Sequence, residues 1–243
     1  MVKLEKYLLA YLKVQDLKIL KLMKKLILTV FFSVLYLTSA SADMGVNLGL
    51  SGQAGVFFAS AEEHNPTDSK NTGTGSEHGE VGYASVFAEV SVGDRFMIGI
   101  DYVPDSLETE TAETHKSDKR TANSEAITAS TNKIQVDFED LTTYYAAAML
   151  TENLYVKVGA QTVEVITNEN LGTGSKYGNT DLDGTMFGVG YHKVMDNGVF
   201  FRAEGSYTSF DSATVKSTGN ADRSITLNKL DGVSGKLSLG KSF

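Results

Sequence analysis

The feature that most constrains this chain is the order of its connections. From Val46 onward, runs of alternating apolar and polar residues are joined by connections of two kinds, which alternate without exception. Residues 62–80, 104–132, 167–184 and 211–223 are long, polar and rich in Gly, Ser, Thr and acids. Gly93-Asp94, Thr151-Glu152-Asn153 and Met195-Asp196-Asn197-Gly198 are short turns with the residues that accept positive φ cheaply. Between them lie runs at 46–59, 81–92, 96–102, 136–150, 154–165, 185–194 and 199–210, and a closing run that ends at Phe243. Strand side chains alternate with period two, so each run has one apolar face and one mixed face.

A soluble sandwich would not sort its connections by length so regularly, and it would need large inward residues on both of its sheets. An even number of strands of about ten residues, short turns at one end and long loops at the other is the pattern of a membrane-spanning barrel. The expectation is therefore an all-β fold, an eight-stranded antiparallel up-and-down transmembrane β-barrel over residues 43–243. The chain has no Cys, which removes disulfide frameworks and thiolate chemistry, and its net charge of −8 argues against a nucleic-acid partner.

The amino-terminal part points to export. Lys24-Lys25, an apolar run over residues 26–37 and Ala40-Ser41-Ala42 have the anatomy of a secretory signal peptide, too short to span as a helix. Residues 1–42 are read as an extension plus signal peptide, with the start at Met23 and cleavage after Ala42. The remainder would carry 15 basic and 28 acidic residues, a net charge of −13.

The two faces of the runs have distinct chemistry. On the outward face Phe96, Tyr191, Phe201 and Phe243 fall near the short-turn ends, and Phe58, Tyr102, Phe187 and Tyr207 near the long-loop ends. Ile98, Ile100, Val156, Val158, Val189, Ala203 and Leu237 lie between them, as an aliphatic band between two aromatic girdles would. The inward face carries Glu89, Asp101, Lys157, Arg202, Glu204 and Lys236, three acids and three bases. A small barrel has room inside only for side chains, so these charges are expected to pair into a plug low in the lumen. Inward glycines leave space for bulky neighbours, read as Tyr83, Phe87, Tyr144, Tyr155 and Phe200.

Phe201-Arg202-Ala203-Glu204-Gly205-Ser206-Tyr207-Thr208-Ser209-Phe210 and the terminal Leu237-Ser238-Leu239-Gly240-Lys241-Ser242-Phe243 resemble the last two strands of the small bacterial outer-membrane β-barrels, the family of the OmpA transmembrane domain and OmpX-type proteins. Lys241 departs from that family's usual aromatic or apolar residue. The resemblance implies a place in the Gram-negative outer membrane and insertion by the outer-membrane assembly machinery, with Leu237, Leu239 and Phe243 as the assembly signal. It also implies a monomer in contact with outer-membrane lipid.

No enzymatic, metal or cofactor site is expected. Residues 179–184 begin like a calcium loop but have Gly190 where the loop needs Glu, and His64, His78, His115 and His192 are scattered. His192 and Ser206 share the inward parity at different heights. The expected role is structural or surface-recognition through the acidic connections, with an unknown surface ligand. The alternative is a narrow porin or a channel for small or hydrophobic solutes of the OmpW type.

Overall fold

In a computed structural model the described residues are 44–64, 73–109, 111–116, 130–170, 176–218 and 223–243. The expected extension, start and cleavage site lie outside them. The strands are β1 (Met44–His64), β2 (Gly73–Val92), β3 (Phe96–Tyr102), β4 (Leu107–Glu108), β5 (Ala112–Lys116), β6 (Ser130–Met149), β7 (Leu154–Asn170), β8 (Thr180–Val194), β9 (Val199–Phe210), β10 (Ala213–Lys216) and β11 (Ser224–Ser242). Eight of them, in the order β1-β2-β3-β6-β7-β8-β9-β11, form a ring that β1 and β11 close in antiparallel register from Asn47↔Ser242 to His64↔Ser224. The expected eight-stranded barrel is thus the observed one. The short β4 and β5 pair with β6, and β10 pairs with β11.

The short turns fall where the sequence places them. Gly93 and Gly198 take φ of 58° and 78°, a region that costs glycine little. Gly198 also accepts from the Ser242 amide, which ties the β8–β9 turn to the last strand.

The polar connections are shorter than the sequence suggests. β1 continues to His64 and β2 begins at Gly73, inside the expected loop 62–80. β6 begins at Ser130 and β7 runs to Asn170. Much of what reads as loop is therefore sheet that rises past the apolar band. Period two is lost there because residues 75–80 are exposed on both faces of β2. With neither face buried, composition has no reason to alternate.

Two irregularities interrupt the ladders at this upper level. The β6–β7 register shifts between Glu139 and Thr142, where Asp140 has φ of 55°, and the β1–β11 register shifts between Ser60 and Ala61. Each is a β-bulge, an extra residue in one strand that changes which side chains face inward. Below its bulge β6 turns Leu141, Thr143, Tyr145 and Ala147 inward, and Tyr144 faces out. This corrects the expectation for Tyr144. Unbroken alternation from Phe138, which packs on the interior, would bring Tyr144 inside, and the bulge makes Tyr145 the interior ring instead.

The outward face is apolar and uncovered. Leu50 is 65% exposed, Leu237 and Leu239 are each 59% exposed, and Val158 is 57% exposed. A contiguous apolar surface encircling a closed barrel is not stable in water, and a bilayer is its natural solvent.

Candidate functional site

Six charged side chains gather in the interior, five of them buried and Lys236 half-buried. Glu89 and Arg202 come from β2 and β9, on opposite sides of the lumen, and inward alternation on each strand aims them at one another. Arg202 donates Nη1 to Glu89 Oε2 at 2.7 Å and Nη2 to Glu89 Oε1, a two-pronged pair matched to the guanidinium fork. Glu89 also accepts from Asn47 Nδ2 at 2.7 Å and from the Tyr145 hydroxyl at 2.9 Å. Its carboxylate thus has four donors while only 1% exposed. The Arg202 guanidinium carbon lies 4.7 Å from the Phe200 ring centre and 5.5 Å from that of Phe87. Its charge is spread over aromatic faces as well as paired.

Two further pairs complete the set. Lys157 on β7 is ion-paired with Glu204 on β9, and the Tyr155 hydroxyl donates to Glu204 Oε2 at 2.7 Å. Lys236 on β11 donates to Asp101 Oδ2 on β3 at 2.8 Å. All six inward charges named from the sequence are therefore in three acid–base pairs, and no pair joins strands that are neighbours in the ring. Sequence alternation places them on the inner face, but it contains no signal for who pairs with whom. Asn47, Tyr145 and Tyr155 were not expected as members of the network. An inward polar residue or Tyr at the same height as the charges is the signal that finds them.

Above these pairs lies a small polar cavity lined by Gln53, Tyr83, Asp101, Thr143, Gln161 and Lys236 among others, with about 10 Å³ for the centre of a water molecule. That is room for about one. Gln161 Oε1, buried beside it, has no hydrogen-bond partner in the protein. Higher still, Val103, Leu141, Val163, Leu182, Phe210 and Leu230 form a buried apolar cluster, with Phe57, Leu107, Phe138 and Leu227 packed against it. No expectation covered this cluster. Its members are spread over stretches of mostly polar composition.

The aromatics named for the outward face lie on the outer surface. Phe96, Phe187, Tyr191, Phe201 and Tyr207 are exposed, and Tyr102 is half-buried. The Tyr102 hydroxyl donates to Asp140 at 2.7 Å, and that of Tyr207 to Asp231 at 2.9 Å. Both tyrosines thus turn their polar ends to carboxylates on neighbouring strands of the outer face. Leu237, Leu239 and Phe243 lie exposed along the last strand, and Lys241 Nζ donates to the carbonyl of Asn197. His192 and Ser206 remain apart: His192 faces Arg202 across the β8–β9 ladder, and Ser206 faces Gly188 and bonds Ser234 Oγ at 2.8 Å.

No family model matches the chain, and no curated protein matches it in sequence. Among solved structures, the outer membrane protein AlkL determined in lipid bilayers is 15% identical, with a TM-score of 0.50, over 84% of this chain and 93% of that one. OprG from Pseudomonas aeruginosa, also an outer membrane protein, is 10% identical with a TM-score of 0.47, over 82% and 96% of the two chains. The neisserial surface protein NspA is 14% identical with a TM-score of 0.36, over 80% and 97%. With AlkL the likeness extends over nearly the full barrel. Together with the closed ring and the uncovered apolar face, it shows that this chain has the fold of an outer-membrane β-barrel.

Proposed function

We propose that this protein is a non-enzymatic barrel of the outer membrane with a sealed lumen, and that its work is structural or recognition at the cell surface. The observation that carries the reading is the double closure of the interior. Three ion pairs fill the lower lumen, an apolar cluster fills the upper, and the cavity between them has room for about one water. In this reading the short turns face the periplasm and the acidic strand extensions face the outside. The outward band contacts outer-membrane lipid, and the chain acts as a monomer.

The test is conductance across a planar bilayer together with swelling of liposomes in small sugars. A sealed barrel gives rare, small openings and no swelling. Large steady conductance in the wild type would instead establish a narrow porin or solute channel. Leu237, Leu239 and Phe243 are proposed as the signal read by the assembly machinery. Deleting Phe243 is expected to leave secretion intact and lower the amount inserted in the outer membrane, as measured by heat-modifiable migration of membrane fractions.

A further inference from the structure

Between the ion pairs and the apolar cluster, the small cavity has a polar wall on nearly every side. β1, β2, β3, β6, β7, β9 and β11 each supply a polar side chain to its lining, and β8 supplies Met186. Most of these groups satisfy one another. Gln53 Nε2 donates to the Tyr83 hydroxyl at 2.7 Å and to Ser234 Oγ at 2.9 Å, and Ser234 in turn bonds Ser206. Gln161 Nε2 donates to Thr143 Oγ1 at 2.9 Å.

Three groups on that wall keep unused capacity. Gln161 is 8% exposed, and among the described residues nothing donates to its Oε1. Turning the amide over would only trade an unpartnered acceptor for an unpartnered donor. The Lys236 ammonium has three N–H donors and commits one of them to Asp101 Oδ2, at 2.8 Å. The Tyr83 hydroxyl accepts from Gln53 and keeps its own proton to donate. An occupant must therefore accept from Lys236 or Tyr83 and donate to Gln161, in a space of about 10 Å³ for its centre. A metal cation cannot accept, and it would meet the ammonium. An apolar molecule can do neither. Water does both, and a polar cavity that offers two to four partners is the kind that holds one.

We propose that this cavity is a binding site for one resident water molecule, which donates to Gln161 Oε1 and accepts from the Lys236 ammonium. Gln161 is then a positioning residue. Through the water it steadies the ammonium that pairs with Asp101, and so links β7 to β11 and β3 across the lumen. The ion pairs below and Val103, Leu141, Leu182 and Phe210 above separate the water from bulk solvent, so it exchanges slowly. The inference rests on the sealed-lumen reading, because an open lumen would hold a column of mobile water instead.

The test uses the full chain, isotope-labelled, in lipid bilayers, and solid-state NMR transfer of magnetisation from water protons to protein carbons. Cross peaks are expected at Gln161 Cδ and Lys236 Cε, and none at the side chains of Leu182 and Phe210. Gln161→Met removes the acceptor at nearly constant length, and the Lys236 cross peak should be lost. Met186→Leu alters the same wall without touching a hydrogen-bonding group, and the cross peak should remain. Should neither variant fold, the wild-type pattern decides alone. Absence of both wild-type cross peaks would overturn the site and leave the lumen dry and sealed. A Lys236 cross peak unchanged in Gln161→Met, or lost in a folded Met186→Leu, would overturn it as well. Cross peaks that appear only when sodium and potassium are replaced by tetramethylammonium would put a metal cation in the cavity instead. Cross peaks at Leu182 and Phe210 too would overturn both the single-water site and the sealed lumen.

Discussion

The lower and upper halves of the lumen are filled by opposite means. Below, Glu89, Arg202, Lys157 and Glu204 are dehydrated charges, each held by an ion-pair partner, and the two carboxylates also accept from Asn47, Tyr145 or Tyr155. Above, Leu182, Phe210, Val163 and their neighbours exclude water with carbon alone. An ionic seal is stable only while every member is present, because losing one leaves a buried charge without compensation. An apolar seal degrades in proportion to the volume removed. The two halves therefore differ in how they fail more than in how tightly they close.

That contrast can be broken experimentally. The largest effect is expected from Glu89→Ala, which strands Arg202 and should cost about 3–5 kcal/mol in urea unfolding from bilayers. Conductance openings should become frequent in the same variant. Glu89→Leu combined with Arg202→Met removes both charges and should recover most of that stability; if the double variant is as unstable as the single one, pairing is not what makes Glu89 important. Leu182→Ala in the upper seal should cost about 2–5 kcal/mol and leave single-channel records unchanged, since the ionic seal below it remains. Frequent openings in Leu182→Ala would show that the upper cluster is the true barrier.

Smaller effects test the boundary between the halves and the rim above it. Asp140 sits at positive φ in the β6 bulge, so Asp140→Val should cost about 1–2 kcal/mol, whereas Asp140→Gly should be close to neutral despite losing the Tyr102 hydrogen bond. The smallest concerns Glu169, near the end of β7, which accepts from the Tyr177 amide. Burial raises its carboxyl above the ordinary value, more than the Tyr177 amide lowers it. A folded pKa above the unfolded one gives a contribution that is complete below the unfolded pKa and fades as pH rises through the folded one. The protection factor near Tyr177, the intrinsic exchange rate relative to the observed rate at the same pH, should therefore be slightly higher at pH ~4 than at pH ~7, by under about 1 kcal/mol for this partly exposed group, and Glu169→Gln should abolish the difference.

What the sequence revealed follows the same division. Wherever one face of a strand meets lipid and the other the lumen, period two is enforced, and Phe96, Phe201, Glu89 and Arg202 could be assigned a side from alternation alone. Alternation stops being informative at the bulges. Glu139-Asp140 reads as part of an unbroken run, which puts Tyr144 inside where Tyr145 stands. Asp is among the few residues that enter positive φ readily, and an acid pair within such a run is the local sign that was available. The upper cluster was hidden for a different reason. Leu107, Leu182 and Leu230 are single apolar residues in polar surroundings, and only the pairing of distant strands brings them together. Nor does composition say which charge meets which, because β2 and β9, which carry Glu89 and Arg202, are not neighbours in the ring.

The inward glycines of the last strand have a consequence for assembly. Gly232 lies opposite Phe57 of β1, and Gly240 lies opposite Phe200 of β9, so β11 offers a vacancy to a ring on each of its two edges. A Cβ at either glycine would overlap that ring. If β11 slid by two residues against β1, Ser234 or Leu230 would arrive where Gly232 belongs; against β9, Ser238 or Ser242 would replace Gly240. Hydrogen bonding and inward–outward alternation tolerate a shift of two, but these steric vacancies do not. The strand that completes the ring is thus keyed on both sides, and a barrel closed out of frame carries the error as two clashes at once.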